Sequence, residues 1–378
     1  MESHETVKPQ PTPSAPPAAG TNDQTNGKDH AVLRIKDLHT YFYTVVGVAK
    51  ALNGVTLDIP YGKVLGIVGE SGCGKSVTAL SAMQLVLPPG RIVKGEIILN
   101  RIRKQGNGFL VTDEVNITNL HPRGPIMRSI RGAEIAMIFQ EPMTSLNPSY
   151  TVGNQIMEAI LLHQDVSEQE ARDRAIDILR RVELPNADAV VDRYPHQLSG
   201  GMRQRAMIAM ALSCTPALLI ADEPTTALDV TTEAEILELM RELQAQMGMT
   251  IAFITHNLGV VAQMCDEVAV MYLGRVVETA PVETIFYDPR HPYTAALLQS
   301  IPRIGSRTKK RLEPIRGVVP DPYANVPGCP FHDRCNAFMP GTCDVRVPAL
   351  MPLPDSDHHE VRCFLHSDAY ESENGYDG

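Results

Sequence analysis

A glycine-rich stretch of the chain carries residues suited to binding phosphate groups. The sequence VLGIVGESGCGKS at 64–76 joins an apolar run, typical of a buried strand, to the pattern Gly69-x4-Gly74-Lys75-Ser76. In such a loop the backbone N–H groups surround a phosphate at a helix N-terminus, and glycines are needed because a Cβ would block the anion. Lys75 is expected to reach the β- and γ-phosphates of a nucleotide, and Ser76 to hold Mg²⁺. The positions expected to contact the nucleotide are Gly69, Ser71, Gly72, Cys73, Gly74, Lys75, Ser76 and Val77.

Two adjacent carboxylates end a second apolar run. The stretch ALLIADE at 217–223 is typical of a parallel strand that is buried on both faces. Side chains alternate along a strand, so Asp222 and Glu223 point to opposite sides. We assign Asp222 to the Mg²⁺ shell and Glu223 to polarising an attacking water, because phosphoryl transfer depends mainly on positioning and charge. The alternative is that both carboxylates only cap the end of a strand before Pro224.

Three shorter stretches accompany the phosphate loop and the carboxylate pair. They are FQEP at 139–142, LSGGMRQR at 198–205 and ITH at 254–256. Together the five stretches resemble, in order, the motifs of the nucleotide-binding subunits of ABC transporters. The resemblance covers about residues 31–300 and includes a loop at 227–229 that contains Asp229.

The resemblance implies a role for each matched residue. Gln140 is expected to touch Mg²⁺ and the attacking water, and His256 is expected to hydrogen-bond the γ-phosphate beside Glu223. The implied catalytic residues are therefore Glu223, His256 and Gln140. The implied Mg²⁺ ligands are Ser76, Gln140 and Asp222.

A second group of residues is expected to complete the nucleotide site from an opposite subunit. Ser199, Gly200 and Gly201 open a predicted helix, where a hydroxyl and bare N–H groups favour an anion. In the family that anion is the γ-phosphate held by the other subunit, so ATP lies between two chains. Asp229 also belongs to the predicted nucleotide-binding set.

An aromatic ring near the start of the resembling region is expected to stack on adenine. The stretch LHTYFYTVVG offers Tyr41, Phe42 and Tyr43, and alignment on Leu38 favours Phe42. The alternative is that these rings belong to an ordinary strand.

The predicted fold is of the α/β class, with a P-loop NTPase core, an ABC-type antiparallel β-subdomain and an α-helical subdomain at about 142–198. The helical signal is clearest at SEQEARDRAIDILRRV, which begins with Ser167 and Glu170 in capping-box spacing. We expect a disordered tail at 1–30, a nucleotide-binding domain at 31–300 and a small cysteine-bearing extension at 301–378. The long segment at 100–125 receives no functional assignment.

The charge and the apolar stretches of the chain argue against a nucleic-acid-binding protein and against a membrane-spanning protein. The 378 residues are 43% hydrophobic, enough to fill a core, and the net charge of −10 argues against a nucleic-acid-binding protein. The longest apolar stretch, at 206–221, is too short and too interrupted to cross a bilayer, and the N-terminal segment lacks the apolar centre of a secretory signal.

Three features narrow the resemblance to the oligopeptide, dipeptide and nickel permease branch of importers. They are PMTSLNP at 142–148, DPRHPYT at 288–294 and the cysteine-bearing tail. The branch implies a second ATPase subunit, two transmembrane permease subunits and an extracytoplasmic substrate-binding protein as partners. It also implies a peripheral position on the cytoplasmic face of the inner membrane, held there by the permease subunits.

Four of the seven cysteines lie near the C-terminus, at Cys329, Cys335, Cys343 and Cys363. Their spacing differs from the paired C-x2-C of common zinc ribbons and leaves zinc and iron–sulfur both open. A reducing cytosol disfavours disulfides. In the permease branch, the C-terminal tail resembles a four-cysteine site for a [4Fe-4S] cluster. The resemblance therefore implies a structural cluster in this chain, with zinc as the alternative.

The sequence thus predicts an ATP-hydrolysing subunit that powers import of di- or oligopeptides, with ATP and Mg²⁺ as cofactors. The alternatives are an importer ATPase for nickel or another small solute in the same family and, less favoured, a soluble ABC ATPase outside transport. Motifs in an ATPase do not identify the transported solute, because the solute contacts other chains.

Overall fold

The computed structural model describes residues 31–105, 108–140, 145–226, 228–300, 315–354, 356 and 358–367. The predicted disordered tail at 1–30 therefore lies outside the described residues. Residues 142–144 of the PMTSLNP stretch, Ala227, and both ends of the predicted extension lie outside them as well.

The strands build two sheets. In chain order they are β1 (Ala31–Tyr43), β2 (Val48–Pro60), β3 (Val64–Val68), β4 (Gly90–Gln105), β5 (Gly108–Asn116), β6 (Ile135–Ile138), β7 (Leu218–Asp222), β8 (Thr250–Ile254), β9 (Glu267–Tyr272), β10 (Arg275–Pro281), β11 (Met351–Pro352) and β12 (Glu360–Val361). The order in one sheet is β2-β1-β4-β5, and in the other it is β11-β12-β10-β9-β3-β8-β7-β6. The second sheet is parallel from β9 to β6, and the first is antiparallel throughout. This architecture confirms the predicted α/β class with an antiparallel subdomain.

Within the described ranges, some helices cover the parallel sheet, and four others lie between β6 and β7 in the chain. In chain order they are α1 (Lys75–Ala82), α2 (Pro125–Ile130), α3 (Val152–His163), α4 (Glu168–Arg181), α5 (Ala187–Val190), α6 (Gly200–Leu212), α7 (Val230–Met247), α8 (Leu258–Met264), α9 (Val282–Tyr287) and α10 (Pro292–Gln299).

Burial explains why the central strands form where the apolar runs predict them. Every residue of β3, β7 and β8 is buried, as expected for parallel strands that are covered on both faces. The long segment at 100–125 is largely the hairpin of β4 and β5, which pairs Arg101 with Asp113 in its ladder. The Arg101 guanidinium lies 2.6 Å from the Asp113 carboxylate and 2.8 Å from that of Glu134, so the hairpin is tied to the start of β6.

Helix α4 begins as predicted and buries one of its faces. The Ser167 hydroxyl accepts the Glu170 N–H at 3.3 Å, and the Glu170 carboxylate accepts the Ser167 N–H at 2.9 Å, which completes the capping box. The side chains on its buried face are Ala171, Ala175, Ile178 and Leu179. The helix thereby packs against the core rather than lying free in solvent.

The C-terminal extension, predicted at 301–378, joins the same core as the parallel sheet. Strand β12 pairs with β10, and the Arg362 N–H donates to the Val277 carbonyl at 2.8 Å. Buried Phe331 places its ring 5.3 Å from the ring of Tyr272 on β9 and 5.4 Å from that of Tyr293 on α10. The extension is therefore held by sheet pairing at one end and by aromatic packing at the other.

The DPRHPYT stretch, in which His291, Tyr293 and Thr294 are buried, is a junction between β10, α10 and the extension. Glu278 on β10 accepts the backbone N–H groups of Arg290 and His291 at 2.6 and 2.9 Å, and His359 of the extension lies 2.7 Å from it. The His291 Nδ1 accepts the Tyr293 N–H at 3.0 Å and so caps α10. Burial lowers the pKa of His291 to about 4, so this ring stays neutral at neutral pH.

The neutral His291 predicts a loss of stability in mild acid. With the pKa of His291 at about 4 in the folded chain, an unfolded chain, where histidine has a pKa of about 6.5, binds a proton that the folded chain excludes. The stabilisation is complete above the unfolded pKa and is lost as the pH falls. From this residue alone, the free energy of unfolding should decrease by about 2 kcal/mol between about pH 7 and pH 5. Urea unfolding at each pH, followed by circular dichroism, measures this free energy.

Substitution isolates the contribution of this histidine. His291→Asn keeps an acceptor for the Tyr293 N–H but does not titrate, so its loss of stability between the two pH values should be smaller than that of the wild type. His358→Asn is the matched control, because His358 is exposed. An equal pH dependence in wild type and His291→Asn would contradict the assignment.

Candidate functional site

The phosphate loop lies between the end of β3 and the start of α1, and its shape requires glycine. Gly69 and Gly74 have φ of 149° and 106°. A Cβ on Gly69 would overlap the carbonyl oxygen of Met271, and one on Gly74 would lie 2.7 Å from the carbonyl oxygen of Ala51. The loop is therefore pressed against β9 and β2, and its free side is the side left for an anion.

Lys75 lies across this loop. Its Nζ donates to the carbonyl oxygens of Gly69 at 2.8 Å and Glu70 at 3.1 Å, and the side chain is buried. The ammonium is thereby fixed at the mouth of α1, where the helix N-terminus also favours negative charge.

The loop forms one wall of a cavity of about 570 Å³. The residues that line it come from β2, the phosphate loop, α1 and the ends of β6, β7 and β8, and they are Ala51, Ser71, Gly72, Gly74, Lys75, Ser76, Val77, Gln140, Glu223 and His256. The structure thus brings the three predicted catalytic residues together with most of the predicted phosphate-loop contacts.

Glu223 is the centre of the polar contacts in this cavity. Its carboxylate accepts the Gln140 side-chain amide at 3.1 Å and the Thr226 hydroxyl at 3.1 Å, and it lies 3.0 Å from His256 Nδ1. Burial raises the pKa of Glu223, but the contacts with His256, Thr226 and Gln140 outweigh burial and hold the pKa below its ordinary value. Glu223 is therefore an ionised carboxylate, able to accept a proton or orient a water molecule.

Asp222 has the features of a metal ligand. It is 3% exposed, and its Oδ1 is a buried oxygen without a hydrogen-bond partner within the described residues. Burial raises the pKa of Asp222 above its ordinary value, and a hydrogen bond with the Ser76 side chain offsets only part of this effect. A buried oxygen beside a hydroxyl at the phosphate loop suits Mg²⁺, which prefers oxygen ligands and retains waters of its own. The residues present therefore fit Mg²⁺ held by Asp222 and Ser76.

The remaining predicted contacts lie outside this cavity. Ser199 caps α6 by accepting the Met202 N–H at 3.3 Å, and Gly200 is exposed beside it. Asp229 caps α7 by accepting the Thr232 N–H at 3.1 Å. Phe42 is half-buried, with its ring against Gly90 and not among the lining residues. The nucleotide roles of Ser199, Gly200, Gly201, Asp229 and Phe42 remain predictions.

Sequence reasoning missed two residues of the site. Thr226 donates to Glu223, and its position in the run DEPTTALD could have indicated it. Ala51 lines the cavity through its place on β2, and no feature of the local sequence marks it, because a methyl group at a cavity wall has no chemical signature.

The four C-terminal cysteines lie in one part of the extension as free thiols. The Cys329 N–H donates to the Cys343 carbonyl at 2.7 Å. Burial, with smaller contributions from the other three cysteines, raises the pKa of Cys363 to about 12.

Their arrangement does not match a site for one metal ion. Within the described part of the chain, no group of three or more His, Cys, Asp or Glu side chains is placed to hold a metal ion. Zinc needs ligands that converge to about 2.0–2.3 Å from one centre. The predicted zinc alternative is therefore not supported, and the predicted cluster has no converged ligand set to support it.

Removal of the Asp222 charge should weaken nucleotide binding only when Mg²⁺ is present. Asp222→Asn is expected to reduce affinity for Mg-ATP about tenfold, the equivalent of one lost charge-assisted contact. Competition with a fluorescent ATP analogue, with and without Mg²⁺, measures the difference. Asp177→Asn, at an exposed position on α4, is the control. Equal weakening in the presence and absence of Mg²⁺ would contradict a role at the metal.

Comparison with known families assigns both parts of the chain. The family model described as "ABC transporter" matches residues 52–226, and the model described as "Oligopeptide/dipeptide transporter, C-terminal region" matches residues 277–343. The second match includes Cys329, Cys335 and Cys343, so part of the extension is itself a feature of peptide transporters.

Individual proteins agree with the family models. The chain is 48% identical over 343 residues to a probable peptide ABC transporter ATP-binding protein, y4tR, of Sinorhizobium fredii, covering 90% of this chain and 97% of that protein. It is 46% identical over 336 residues to the dipeptide transport ATP-binding protein DppD of Bacillus subtilis, covering 88% and 94%. Among solved structures, the dimeric bacterial ABC transporter cassette MJ0796 matches with a TM-score of 0.56 and 26% identity, covering 66% of this chain and 98% of that one. With full-length relatives at this identity and a phosphate loop, glutamine and carboxylate in one cavity, the chain belongs to the family of peptide ABC transporter ATP-binding proteins.

Proposed function

We propose that the chain hydrolyses ATP to power the import of di- or oligopeptides. The observation that carries the proposal is the Glu223 carboxylate, ionised and held by Gln140, Thr226 and His256 beside the phosphate loop. The relatives are named as peptide and dipeptide transport proteins, and the match at 277–343 supports the same solute class for this chain.

In this proposal each residue of the cavity has a separate task. Lys75 and the loop N–H groups balance phosphate charge, and Asp222 and Ser76 hold Mg²⁺, which supplies further positive charge at the phosphates when bound. Glu223 accepts a hydrogen bond from the attacking water and orients it. Gln140 and His256 hold that carboxylate in place and lie next to the reacting phosphate.

The position of Ser199 and Gly200 supports a site completed by a second subunit. Both are exposed at the N-terminus of α6 and do not line the cavity of their own chain. A helix N-terminus with free N–H groups favours an anion, and the similar cassette MJ0796 is dimeric in its solved structure. We therefore assign Ser199, Gly200 and Gly201 to the γ-phosphate that is held by a partner ATPase subunit.

We also propose that other subunits hold the chain at a membrane. Among the residues that the structure describes, each helix is too short or too polar to span a bilayer. The proposed partners are a second ATPase subunit, two transmembrane permease subunits and an extracytoplasmic substrate-binding protein, with this chain peripheral on the cytoplasmic face. Gln140 is exposed, and in this arrangement it is the residue through which the ATP site senses the permease subunits.

Replacement of Glu223 tests the enzymatic proposal. Glu223→Gln keeps the size of the side chain and its acceptor oxygen but removes the charge that orients water, so turnover in the assembled transporter should fall at least about 100-fold. ATP affinity should stay within about twofold, because the phosphate loop is untouched. Glu283→Gln, at an exposed position on α9, is the matched control. Hydrolysis at the wild-type rate by Glu223→Gln would refute the assignment.

We also propose that Cys329, Cys335, Cys343 and Cys363 hold a [4Fe-4S] cluster. Each thiolate of such a cluster binds its own iron, and the proposal rests on the four-cysteine pattern of the sequence together with the match at 277–343, which includes three of these cysteines. Anaerobic purification followed by iron, sulfide and zinc analysis is expected to give about four irons per chain. Cys343→Ser should lose the iron, and Cys214→Ser, which lies outside the extension, should retain it. Zinc without iron in the wild type would refute the cluster.

A further inference from the structure

One residue of the phosphate loop carries a negative charge that does not help to bind phosphate. Glu70 follows Gly69 directly, and each of its polar groups is held by another residue. Its N–H donates to the Tyr293 hydroxyl at 3.0 Å, and its carbonyl accepts Lys75 Nζ at 3.1 Å. Its carboxylate is bound by Arg334, with Nη1 at 2.8 Å and Nη2 at 3.1 Å. Glu70 is therefore the anchored corner of the loop.

Arg334 comes from the C-terminal extension, where its side chain is 4% exposed. Its Nε donates to the Arg316 carbonyl at 2.9 Å, and its Nη1 also donates to the Tyr272 hydroxyl at 3.3 Å. The guanidinium lies 5.7 Å from the centre of the Tyr272 ring and 5.9 Å from that of Phe331. A guanidinium held on three sides can meet the carboxylate with both fork nitrogens and little further loss of freedom.

The extension also contacts strand β2, next to a residue that lines the nucleotide cavity. The Lys50 N–H donates to the Pro322 carbonyl at 3.3 Å, and Lys50 Nζ donates to Asn325 Oδ1 at 3.3 Å. Lys50 precedes Ala51, which lines the cavity. The extension therefore contacts the phosphate loop through Glu70 and also contacts strand β2, against which that loop is pressed.

We propose that Arg334 is a positioning residue for nucleotide binding, which acts by neutralising Glu70 and fixing the corner of the phosphate loop. The inference rests on the proposed binding of ATP in this cavity. Without Arg334, the Glu70 carboxylate would be an unpaired negative charge in the same short loop that must accept a triphosphate, and like charges repel. The extension would then contribute to ATP affinity although none of its described residues lines the cavity.

A charge-removal series on the full-length chain tests this inference. The dissociation constant for Mg-ATP is measured by competition with a fluorescent ATP analogue at low and high salt. Arg334→Ala should bind about tenfold more weakly at low salt. The deficit should shrink at high salt, because ions screen the repulsion. The double variant Glu70→Gln/Arg334→Ala should recover most of the affinity, since the charge that Arg334 offsets is gone.

Two further variants separate charge from packing. Arg334→Lys keeps the positive charge but loses the paired contacts of the guanidinium, so its affinity for ATP should lie between those of the wild type and Arg334→Ala. Arg316→Ala removes an exposed cation of the same extension and leaves its carbonyl in place, so it should bind as the wild type does. If Arg334→Ala does not fold, Arg334→Lys and the double variant still carry the test.

The outcomes distinguish this inference from the proposed function. Wild-type affinity in folded Arg334→Ala would overturn it. A double variant as weak as Arg334→Ala would also overturn it, because the residue would then act as structural support alone. A wild-type chain that binds no Mg-ATP would instead refute the proposed function.

Discussion

The parallel pairing of β3, β7 and β8 is the constraint on which the candidate site depends. In this register Ile254 pairs with Asp222 on one side and with Ile67 on the other, so the three strands end at one level. The backbone of these strands is buried, and each N–H and C=O must find a partner in the ladder. A slip of one residue would leave groups unpaired and turn every side chain to the other face. The register therefore brings the phosphate loop, the carboxylates and His256 to one edge.

The site must hold carboxylates close to the position of a triphosphate, and each acid is accommodated in a different way. Asp222 is buried beside Ser76 with an oxygen that has no hydrogen-bond partner in the described part of the chain, which suits a cation. Glu223 is kept ionised by its contacts with His256, Thr226 and Gln140. These contacts leave its carboxylate able to accept a hydrogen bond from water. Glu70 is paired with an arginine from a distant part of the chain. Phosphate binding by backbone N–H groups makes this possible, because the loop supplies positive potential without a cluster of lysine and arginine.

The extension is part of the catalytic core's packing rather than a separate module. Phe331 enters the same hydrophobic cluster as the parallel sheet, and the buried Glu278 joins β10 to His359. A buried carboxylate of this kind is stable only with its donors in place, so β10, the start of α10 and β12 depend on each other. The residues that link the extension to the phosphate loop, Tyr293 and Arg334, lie within this packed region.

The sequence alone determined the class of fold and the position of the phosphate loop and of the carboxylate pair, because apolar runs and glycine spacing record strand burial and anion binding locally. The resemblance to ABC transporter subunits added Gln140 and His256, which line the same cavity as the loop. The sequence also determined the start of α4, since a capping box lies within four consecutive residues. Local patterns did not reveal Ala51 as a cavity wall. The pairing of Glu70 with Arg334 spans 264 positions, and its two residues carry no shared local signal. Only the tertiary structure decided such contacts, because they arise where separate elements pack together and not from the order of neighbouring residues.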